Sequence, residues 1–532
     1  MNKPCELLDP NAIALSRRQF LVGATLAGGC LLVGRLAAAE GAVEGAVEVD
    51  TGESPFTVFG PFLRFTPGGE VIVVSKHSEM GQGAQSGLAA IIAEELDADW
   101  SRVRVAMAPA DAKRFGHTQL GIQITGGSTS ISNSWDQMRR VGASARALFV
   151  NAAASQWRVP VGEITVCDSV VTHAFSGRSA GFGALFEAAA RQTPPAEPRL
   201  KSPDQYRLLG TERVSRLDAL ANVTGRQEYT ADVQTPGLLV AVVAHSPRFG
   251  GRVAGFQGEA QARKVPGVVD VFAISSGVAV VAETTYAALQ GRKVLTVNWD
   301  DSAAEMRSSE EILQEHRDIA ADALPAHWVE FERFGEAPAV AEAGFEDYRF
   351  DFPYLQHATM EPMNCVATVD GKRVRLQYGA QSQTADQRNV AALIGCAPQE
   401  VEIRTLQAGG SFGRRSVARS DYQLECVEIA RHIGGGRPVK LQWMREDDMM
   451  CGHYRPIAHH RVCARLGADG YPESWDHRIV CAPLLKGTPF ASPKAATTAE
   501  HQSVEGIKDS CYFRAIANVR AQVAYTDSPV TR

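Results

Sequence analysis

The sequence predicts a multidomain protein of the α/β (α+β) class, and three observations lead to this prediction. The 532 residues are 45% hydrophobic and 21% charged, which is enough to bury several cores. Two glycine-rich loops each follow an apolar, strand-like run and precede a helical pattern. Pro-rich and Ala/Gly-rich stretches separate these units. The net charge of −6 gives no basic surface for nucleic acid, so we expect no nucleic-acid partner.

The N-terminal residues 1–39 predict a twin-arginine signal peptide. The string SRRQFL begins at Ser16, and an apolar stretch ending at Val33 and then three alanines follow it. This stretch is shorter than the ~20 residues that cross a bilayer, so we expect no membrane span and a periplasmic location. A linker is predicted over 40–54. Cys30, in the string LAGGC, is a less favoured alternative as a lipidation site.

The first glycine loop is EMGQG, from Glu79 to Gly83. The apolar run that begins at Val71 predicts a strand before it, and apolar spacing predicts a helix over 84–96 after it. Backbone N–H groups at such a helix N-terminus favour a phosphate-like ligand. A nicotinamide site would require G-x-G-x-x-G, and the third glycine here, Gly87, stands one residue too far along the chain.

The second glycine loop is AGGSFGRR, from Ala408 to Arg415, with a predicted strand over 401–406 before it. The predicted helix after it carries Ala418, Tyr422, Cys426, Ile429 and Ile433 on one face. Two such loops in one chain predict a large anionic cofactor. For either loop alone, the alternative is a glycine turn that packs tightly against a sheet.

No C-x-x-C string occurs among the ten cysteines, so the sequence offers no recognisable iron–sulfur ligand set. The densest group of metal-binding residue types is Cys451, His453, His459, His460 and Cys463. Its spacing fits no zinc pattern, and the run over 460–466 predicts one strand of a hairpin that turns at 468–471. We expect structural or surface histidines there.

The string GRSAG at 177–181 matches the nucleophile elbow of serine hydrolases. It lies between a strand-like run over 164–173 and a helix-like run over 182–190. No H-G-G-G oxyanion segment precedes it. The two interpretations are a hydrolase that uses Ser179 and a Ser/Gly loop in which Ser179 caps the following helix.

Six segments occur in a distinctive order: EMGQG, AEELDADW, TGGSTSISNSWDQMRRVGASAR, HATMEPMNC, AQSQT and AGGSFGRR. Together they resemble the molybdopterin-binding large subunits of the xanthine dehydrogenase and aldehyde oxidase family. The GQG segment precedes the GGxFG segment here, an order that resembles the permuted isoquinoline oxidoreductase branch. The resemblance covers about residue 56 to the last residue.

The Pro-rich and Ala/Gly-rich stretches, together with the resemblance, predict the domain organisation. The expected units are a molybdopterin-binding α/β unit with the GQG loop (55–190), a Pro-rich hinge (191–209), an α/β hammerhead domain (210–305), a linker (306–344) and a second molybdopterin-binding α/β unit with the GGSFG loop (345–532).

The resemblance implies a molybdenum hydroxylase. Such an enzyme hydroxylates an isoquinoline-like N-heteroaromatic ring or oxidises an aldehyde, with water as the oxygen source. The implied cofactor is a molybdenum–molybdopterin cytosine dinucleotide. The implied partners are a small subunit that carries [2Fe–2S] clusters and a cytochrome c as electron acceptor.

The resemblance also implies roles for particular residues. Gln82 would hydrogen-bond an oxygen ligand of molybdenum, Phe412 would shape the substrate slot, and Glu361 and Gln381 would lie at the substrate pocket. The other expected cofactor contacts are Gly81, Gly83, Gly126, Gly127, Ser128, Thr129, Gly409, Gly410, Ser411, Gly413, Arg414 and Arg415. The metal would be held through the pterin and by no direct protein ligand. The alternative for the arginine pair is a solvent-facing helix start, and the alternative for Glu361 is a helix-turn or surface acid.

One departure from the family concerns the catalytic base, a glutamate that the family carries in a G-x-G-E-P-type segment near its C-terminus. No such segment occurs here, and the closest string, FGEAP at 334–338, lacks the glycine spacing. The chain stops at Arg532, where family members continue. We therefore expect a C-terminally truncated large subunit that is inactive alone. A non-catalytic remnant that only binds a partner is the remaining alternative.

Overall fold

The structure is a computed structural model that describes residues 59–336, 344–485, 498–508 and 510–527. The predicted signal peptide and the linker after it lie outside these described residues. No helix within the described ranges is both long and apolar enough to span a bilayer.

The first region, residues 59–190, is a mixed α/β unit. Its elements are β1 (Leu63–Phe65), β2 (Val71–Ser75), α1 (Ala84–Leu96), β3 (Val103–Met107), α2 (Ala112–Phe115), α3 (Trp135–Trp157), β4 (Ile164–Cys167), β5 (Val170–His173), β6 (Arg178–Gly181) and α4 (Phe182–Ala189). One sheet has the order β1-β2-β3, with β1 antiparallel and β3 parallel to β2. A second, antiparallel sheet has the order β4-β5-β6.

Helix α1 has the bounds that the sequence predicts, and it packs closely against α3. A Cβ added at Gly142 of α3 would lie 2.4 Å from the carbonyl oxygen of Ile92 in α1, so only glycine permits this approach. The first glycine loop connects β2 to α1.

The stretch predicted as a hinge, 191–209, is bound to α1 by buried carboxylates. The carboxylate of Glu94 accepts hydrogen bonds from the backbone N–H groups of residues 207–209 and from the Lys201 ammonium group. Glu95 accepts a hydrogen bond from the Lys201 backbone N–H. Both glutamates are 0% exposed. The prediction of a hinge overlooked these contacts, because Pro-rich composition does not show which acids a segment meets.

The middle and C-terminal regions share a seven-stranded sheet. The middle region contains α5 (Ala219–Val223), β7 (Leu239–His245), β8 (Arg252–Gln257), α6 (Glu259–Ala262), β9 (Val268–Ile274), β10 (Gly277–Ala282), α7 (Thr285–Lys293) and β11 (Thr296–Asp300). The C-terminal region contains α8 (Ser309–Ala320), β12 (Trp328–Phe334), β13 (Glu346–Phe352), β14 (Leu355–Gln356), β15 (Asn364–Asp370), β16 (Arg373–Tyr378), α9 (Gln383–Ile394), β17 (Val401–Thr405), α10 (Asp421–Ile433), β18 (Val439–Gln442), α11 (Arg445–Cys451), β19 (Tyr454–Arg455), β20 (Ala458–Leu466), β21 (Pro472–Cys481), α12 (His501–Val504) and β22 (Asn518–Tyr525).

The order of this sheet is β17-β16-β15-β18-β7-β10-β9, in which β18 is parallel to β7. Strands from the predicted hammerhead domain and from the second predicted molybdopterin unit therefore belong to one sheet. Its core contains Leu239 and Val243 from the middle region and Leu376 and Ile429 from the C-terminal region. The second glycine loop connects β17 of this sheet to α10, which begins after Ala418 rather than including it.

A five-stranded sheet has the order β12-β22-β21-β20-β13. Residues 306–344 were predicted as a linker, but they contain α8, which packs on β20 and β21, and β12, which pairs with β22. The linker prediction is wrong for this part because the apolar residues of α8, Ile312 and Ile319, are buried. The hairpin predicted after His460 is confirmed by the pairing of β20 with β21.

Candidate cofactor-binding site

Three loops that are far apart in sequence meet at one place. The backbone N–H of Ala408, the first residue of the second glycine loop, donates to the carbonyl oxygen of Glu79 in the first loop (3.0 Å). The backbone N–H of Ser78 donates to Thr125 Oγ1 (2.9 Å), which brings in the loop TGGST. The fold therefore joins the GQG, TGGST and GGSFG segments into one site.

Gln381 connects two of these loops. Its backbone oxygen accepts from the Thr125 N–H (2.9 Å), and its Nε2 donates to the Thr125 carbonyl oxygen (2.7 Å). Its Oε1 accepts from Ser411 Oγ (2.5 Å) in the GGSFG loop. Because Gln381 is only 6% exposed, its amide is committed to holding the loops together. The sequence predicted Gln381 at the site, and the structure places it beneath the loop surface.

The GGSFG loop presents unpaired backbone donors. The N–H groups of Gly410, Ser411, Phe412 and Gly413 make no hydrogen bond to any described residue, whereas Gly409 N–H donates to Glu361. Gly410 and Gly413 have φ values of 93° and 105°, and Phe412 has a φ of 56°. A left-handed conformation at a phenylalanine is strained, and such strain is concentrated at functional sites. The Phe412 ring is 74% exposed.

The TGGST loop shows the same property. Residues 126–128 are exposed, and none of their N–H groups has a partner among the described residues. Gly127 and Ser128 have positive φ values of 61° and 55°. Thr129 stabilises the turn, because its Oγ1 donates to the Gly126 carbonyl oxygen (2.8 Å). Successive free N–H groups of this kind form an anion-binding concavity.

The first glycine loop differs from the other two, and here the expectation of an open anion cradle is wrong. The carboxylate of Glu79, which is 0% exposed, accepts from the N–H groups of Gly81 (2.9 Å), Gly83 (2.9 Å) and Gln85 (3.1 Å). Arg216 pairs with the same carboxylate (3.3 Å). An anionic ligand cannot use these donors, because a side chain of the protein already does.

Gln82 lies at the exposed tip of this loop. Its Oε1 accepts from the Met80 N–H (2.8 Å), and its Nε2 donates to the Ser78 carbonyl oxygen (2.8 Å). An amide nitrogen carries two hydrogens, so one donor of Gln82 is left after this bond. The predicted role of Gln82 as a donor to an oxygen ligand is compatible with this geometry.

Glu361 was expected at the substrate pocket, or alternatively as a helix-turn or surface acid. It lies between β14 and β15, its side chain is 9% exposed, and it pairs with Arg415 (2.9 Å). Its carboxylate also accepts from Gly409 N–H (2.9 Å) and Asn364 Nδ2 (2.9 Å). The surface interpretation is wrong, and this geometry makes the carboxylate an anchor of the GGSFG loop.

The arginine pair is internal, which corrects both interpretations of Arg414 and Arg415. Their side chains are 0% exposed, so neither reaches a phosphate group in solvent or begins an exposed helix. Arg414 binds both carboxylate oxygens of Asp421 (3.1 and 2.7 Å), and the guanidinium keeps the pKa of Asp421 well below its usual range despite burial. Arg415 Nε donates to the Gly410 carbonyl oxygen (2.9 Å). Through these buried contacts, both arginines hold the second loop in place from the interior of the protein.

Sequence reasoning missed a cluster of polar side chains around the buried Lys76, behind the TGGST loop. Lys76 is 2% exposed, and its ammonium donates to the amide oxygens of Gln137 (2.8 Å) and Asn133 (3.2 Å). No carboxylate of the described chain pairs with it, and burial lowers its pKa to about 8. His117 Nε2 lies 3.1 Å from Thr129 Oγ1. A lysine at the end of an apolar strand run is the signal that could have revealed this cluster.

The nucleophile-elbow interpretation of Ser179 has no structural support. Ser179 lies inside β6, opposite Thr172 of β5, and not on a sharp turn between a strand and a helix. Among the residues that the structure describes, no histidine hydrogen-bonds to it. The helix-cap alternative is also wrong, because Gly181 precedes α4 and no side chain caps that helix. Likewise, the described residues contain no group of three His, Cys, Asp or Glu side chains placed for a metal, including the patch around His460.

Comparison with known domain families identifies the class of protein. Residues 47–240 and 316–531 each match a family described as a molybdopterin cofactor-binding domain, MoCoBD_2 and MoCoBD_1 respectively. The two matches contain all three loops and cover most of the chain. The chain belongs to the molybdopterin-binding subunits of the xanthine dehydrogenase and aldehyde oxidase family.

Similar proteins include the isoquinoline 1-oxidoreductase subunit beta of Brevundimonas diminuta, which is 31% identical over 86% of this chain and 63% of its own length. The membrane-bound aldehyde dehydrogenase [pyrroloquinoline-quinone] of Gluconacetobacter polyoxogenes is 28% identical over 78% of this chain and 54% of its own. This chain thus spans less than two thirds of each relative. Among solved structures, quinoline 2-oxidoreductase from Pseudomonas putida 86 has 18% identity and a TM-score of 0.45, with 59% of this chain and 44% of that chain covered.

The residues present fit a large anionic pterin cofactor. The four unpaired N–H groups of the GGSFG loop and those of the TGGST loop are donors that lack acceptors. Buried or clustered donors without partners are costly in the protein alone, and a ligand that accepts from them removes that cost.

Proposed function

We propose that this chain is the molybdenum-cofactor subunit of an oxidoreductase that hydroxylates an isoquinoline-like N-heteroaromatic compound or oxidises an aldehyde, with water as the oxygen source. The single observation that carries this proposal is the meeting of the three loops, one of which has unpaired N–H groups at 410–413. The membership of the family supports the class of reaction, and the names of the two relatives support the two substrate classes.

The chain would hold the cofactor mainly through backbone donors. The N–H groups of 410–413 and 126–128 would bind its oxygens, sulfurs or phosphates, and the buried charge of Lys76 would add a positive potential behind the TGGST loop. When bound, a molybdenum pterin supplies two-electron redox chemistry. We expect a molybdopterin cytosine dinucleotide, with the metal held through the pterin alone.

The remaining residues of the site would orient the cofactor, shape the substrate slot and hold the loops in place. Gln82 would donate its second amide hydrogen to an oxygen at the reacting centre, and this donor stays neutral at any working pH. The exposed Phe412 ring would form one wall of the substrate slot and exclude water from it. Gln381, Glu361, Arg414 and Arg415 would keep the loops in place without contacting the substrate.

We further propose a small [2Fe–2S] subunit as the electron-accepting partner, since the sequence has no recognisable cluster ligands, with a cytochrome c beyond it. The proposed location is the periplasm, reached by twin-arginine export. Replacing Arg17 and Arg18 with lysine would test this proposal. We expect the protein to stay in the cytoplasm with its N-terminal segment uncleaved, and periplasmic accumulation of that variant would contradict export by this route.

The test of the main proposal is a purification from the natural host together with any subunits that co-purify. We expect a molybdenum-to-chain ratio near one and dye reduction that depends on an N-heteroaromatic compound or an aldehyde. Folded protein that contains no molybdenum would contradict the proposal. Molybdenum without turnover of either class would contradict only the substrate assignment.

A further inference from the structure

The five-stranded sheet ends in a strand that lacks the usual protection of a sheet edge. Among the described strands, β13 pairs with β20 alone, and all seven of its residues are exposed. Its pairing with β20 runs without a bulge, whereas β12, at the opposite edge, has a register shift between Glu330 and Glu332. Natural sheets protect their edges with bulges, lysines or prolines, and β13 contains none of these. Its outer N–H and C=O groups are therefore open to another strand.

The two faces of β13 differ in chemistry, since successive side chains of a strand point to opposite faces. One face, here called the aromatic face, carries Tyr348, Phe350 and Phe352, which are 45%, 49% and 39% exposed. The other face carries the charged side chains Asp347, Arg349 and Asp351. This charged face lies toward α8, because Arg317 of that helix pairs with Asp351 (2.6 Å). Three exposed aromatic rings beside an unpaired strand edge indicate a surface for association.

We propose that β13 pairs antiparallel with β13 of a second copy of this chain, with Phe350 opposite Phe350, so that two five-stranded sheets become one continuous sheet. In this register, Arg349 of each copy lies opposite Asp351 of the other. Tyr348 likewise lies opposite Phe352. Aromatic pairs and opposite charges placed directly across a ladder both stabilise strand pairing. Arg349 and Asp351 can make this new contact, because their side chains are 59% and 34% exposed.

The charges of the strand also disfavour the neighbouring registers. A dimer centred on Arg349 would place Arg349 opposite itself and Asp347 opposite Asp351. A dimer centred on Asp351 would place Asp351 opposite itself. Like charges directly opposite each other destabilise a ladder. The strand is therefore self-complementary in the register centred on Phe350, and a second copy is the occupant that its charges fit.

The first test is sedimentation equilibrium of the full chain over a concentration series. We expect the mass of two chains at high concentration, because the pairing of one strand is a small interface that mass action must populate. Arg349→Glu places two carboxylates opposite each other at two symmetric positions, so the dissociation constant of the dimer should rise at least about tenfold. Arg375→Glu is the matched control, at an arginine of β16 that is 61% exposed, and it should leave the constant unchanged. A chain that stays monomeric at about 100 µM, or a dimer that Arg349→Glu leaves intact, would overturn the proposal.

Engineered cysteines test the register without depending on charge. With glutathione disulfide as the oxidant, Phe350→Cys should form a disulfide between two copies, because the two residues face each other across the ladder. Tyr348→Cys is the matched control on the same face, at a residue that is 45% exposed against 49% for Phe350. Its two copies would lie about 13 Å apart along the ladder, which is too far for a disulfide.

Peptide mass spectrometry distinguishes these disulfides from those of the native cysteines. A mixture of Tyr348→Cys and Phe352→Cys chains should form the crossed disulfide, since these residues lie opposite each other in the proposed register. No disulfide at residue 350, or an equal yield at residue 348 with Tyr348→Cys alone, would overturn the proposal.

Discussion

The two glycine loops have the same arrangement in sequence, a strand, a glycine turn and a helix, but they use their backbone donors differently. In the first loop, the Glu79 carboxylate accepts from three N–H groups at the start of α1. In the second, the N–H groups of 410–413 have no acceptor in the described chain, and Glu361, the acid nearby, accepts from the Gly409 N–H but from none of these four. The Glu79 carboxylate thus accounts for the difference. The first loop exposes the Gln82 side chain while its N–H groups are bound internally, whereas the N–H groups of the second loop stay free to bind a ligand.

A glycine turn before a helix therefore indicates where backbone N–H donors lie, but it does not show whether they are free to bind a ligand. A carboxylate is itself the preferred occupant of a helix N-terminus, so a nearby acid can take the place of a ligand. The first loop is therefore a rigid support for Gln82, and the second is the stronger candidate for direct contact with a cofactor.

The largest expected effect comes from removing the acid of the second loop. Glu361→Ala leaves the buried Arg415 guanidinium without its carboxylate, and we expect the free energy of unfolding to fall by about 3–5 kcal/mol. Urea denaturation measures this loss. The control is Glu402→Ala, which breaks an exposed pair with Arg375 and should cost no more than about 1 kcal/mol. Equal losses in the two variants would show that Glu361 does not anchor the loop.

Removing Glu79 should give the first loop free backbone N–H groups, like those of the second loop. Glu79→Ala leaves three N–H groups without an acceptor, and we expect a loss of about 2–3 kcal/mol in the free energy of unfolding. Sulfate should then bind the freed donors and raise the Tm of this variant more than that of the wild type. The same sulfate response in both proteins would argue against the closed loop.

A third prediction concerns the support behind the second loop, where Asp386 accepts from Tyr378 and Ser420. Burial raises the pKa of Asp386 to about 7. The native state therefore keeps a proton that the unfolded state releases above about pH 4, so Asp386 makes stability fall as pH rises from about 4 to 7.

The variant Asp386→Asn removes this contribution, and the slope of its unfolding free energy with pH should be more positive than that of the wild type by up to about 1.4 kcal/mol per pH unit. Urea titrations at several pH values between 4 and 7 provide the comparison. Parallel curves for the two proteins would mean that Asp386 ionises normally in the folded state.

The smallest effect on stability is expected at the tip of the first loop. Gln82→Ala removes two hydrogen bonds, one exposed and one partly buried, and the free energy of unfolding should change by less than about 1 kcal/mol. In cofactor-loaded protein, kcat for dye reduction should nevertheless fall by at least about tenfold, because a donor at the reacting centre is lost. A full-rate Gln82→Ala enzyme would remove Gln82 from the proposed mechanism.

The sequence predicted local elements such as helix α1 accurately, but it did not predict most of the contacts between residues distant in the chain. Helix α1 matched its predicted bounds because a long apolar periodicity determines a helix well. The segment motifs also indicated which loops would meet. By contrast, the hydrogen bond from Ala408 to Glu79, the pairing of β7 with β18 and the burial of Arg414 depend on residues hundreds of positions apart or on packing. No local pattern in one sequence shows whether an arginine or a glutamate finds a partner inside the fold.

Hydrogen exchange of the two loops, compared between cofactor-free and cofactor-loaded protein, tests the central comparison most directly. If the second loop binds the cofactor through its backbone, amides 410–413 should exchange much more slowly in the loaded protein. The amides of Gly81, Gly83 and Gln85 should be protected equally in both forms, because Glu79 already accepts from them. Protection that appears at the first loop and not at the second would contradict the account.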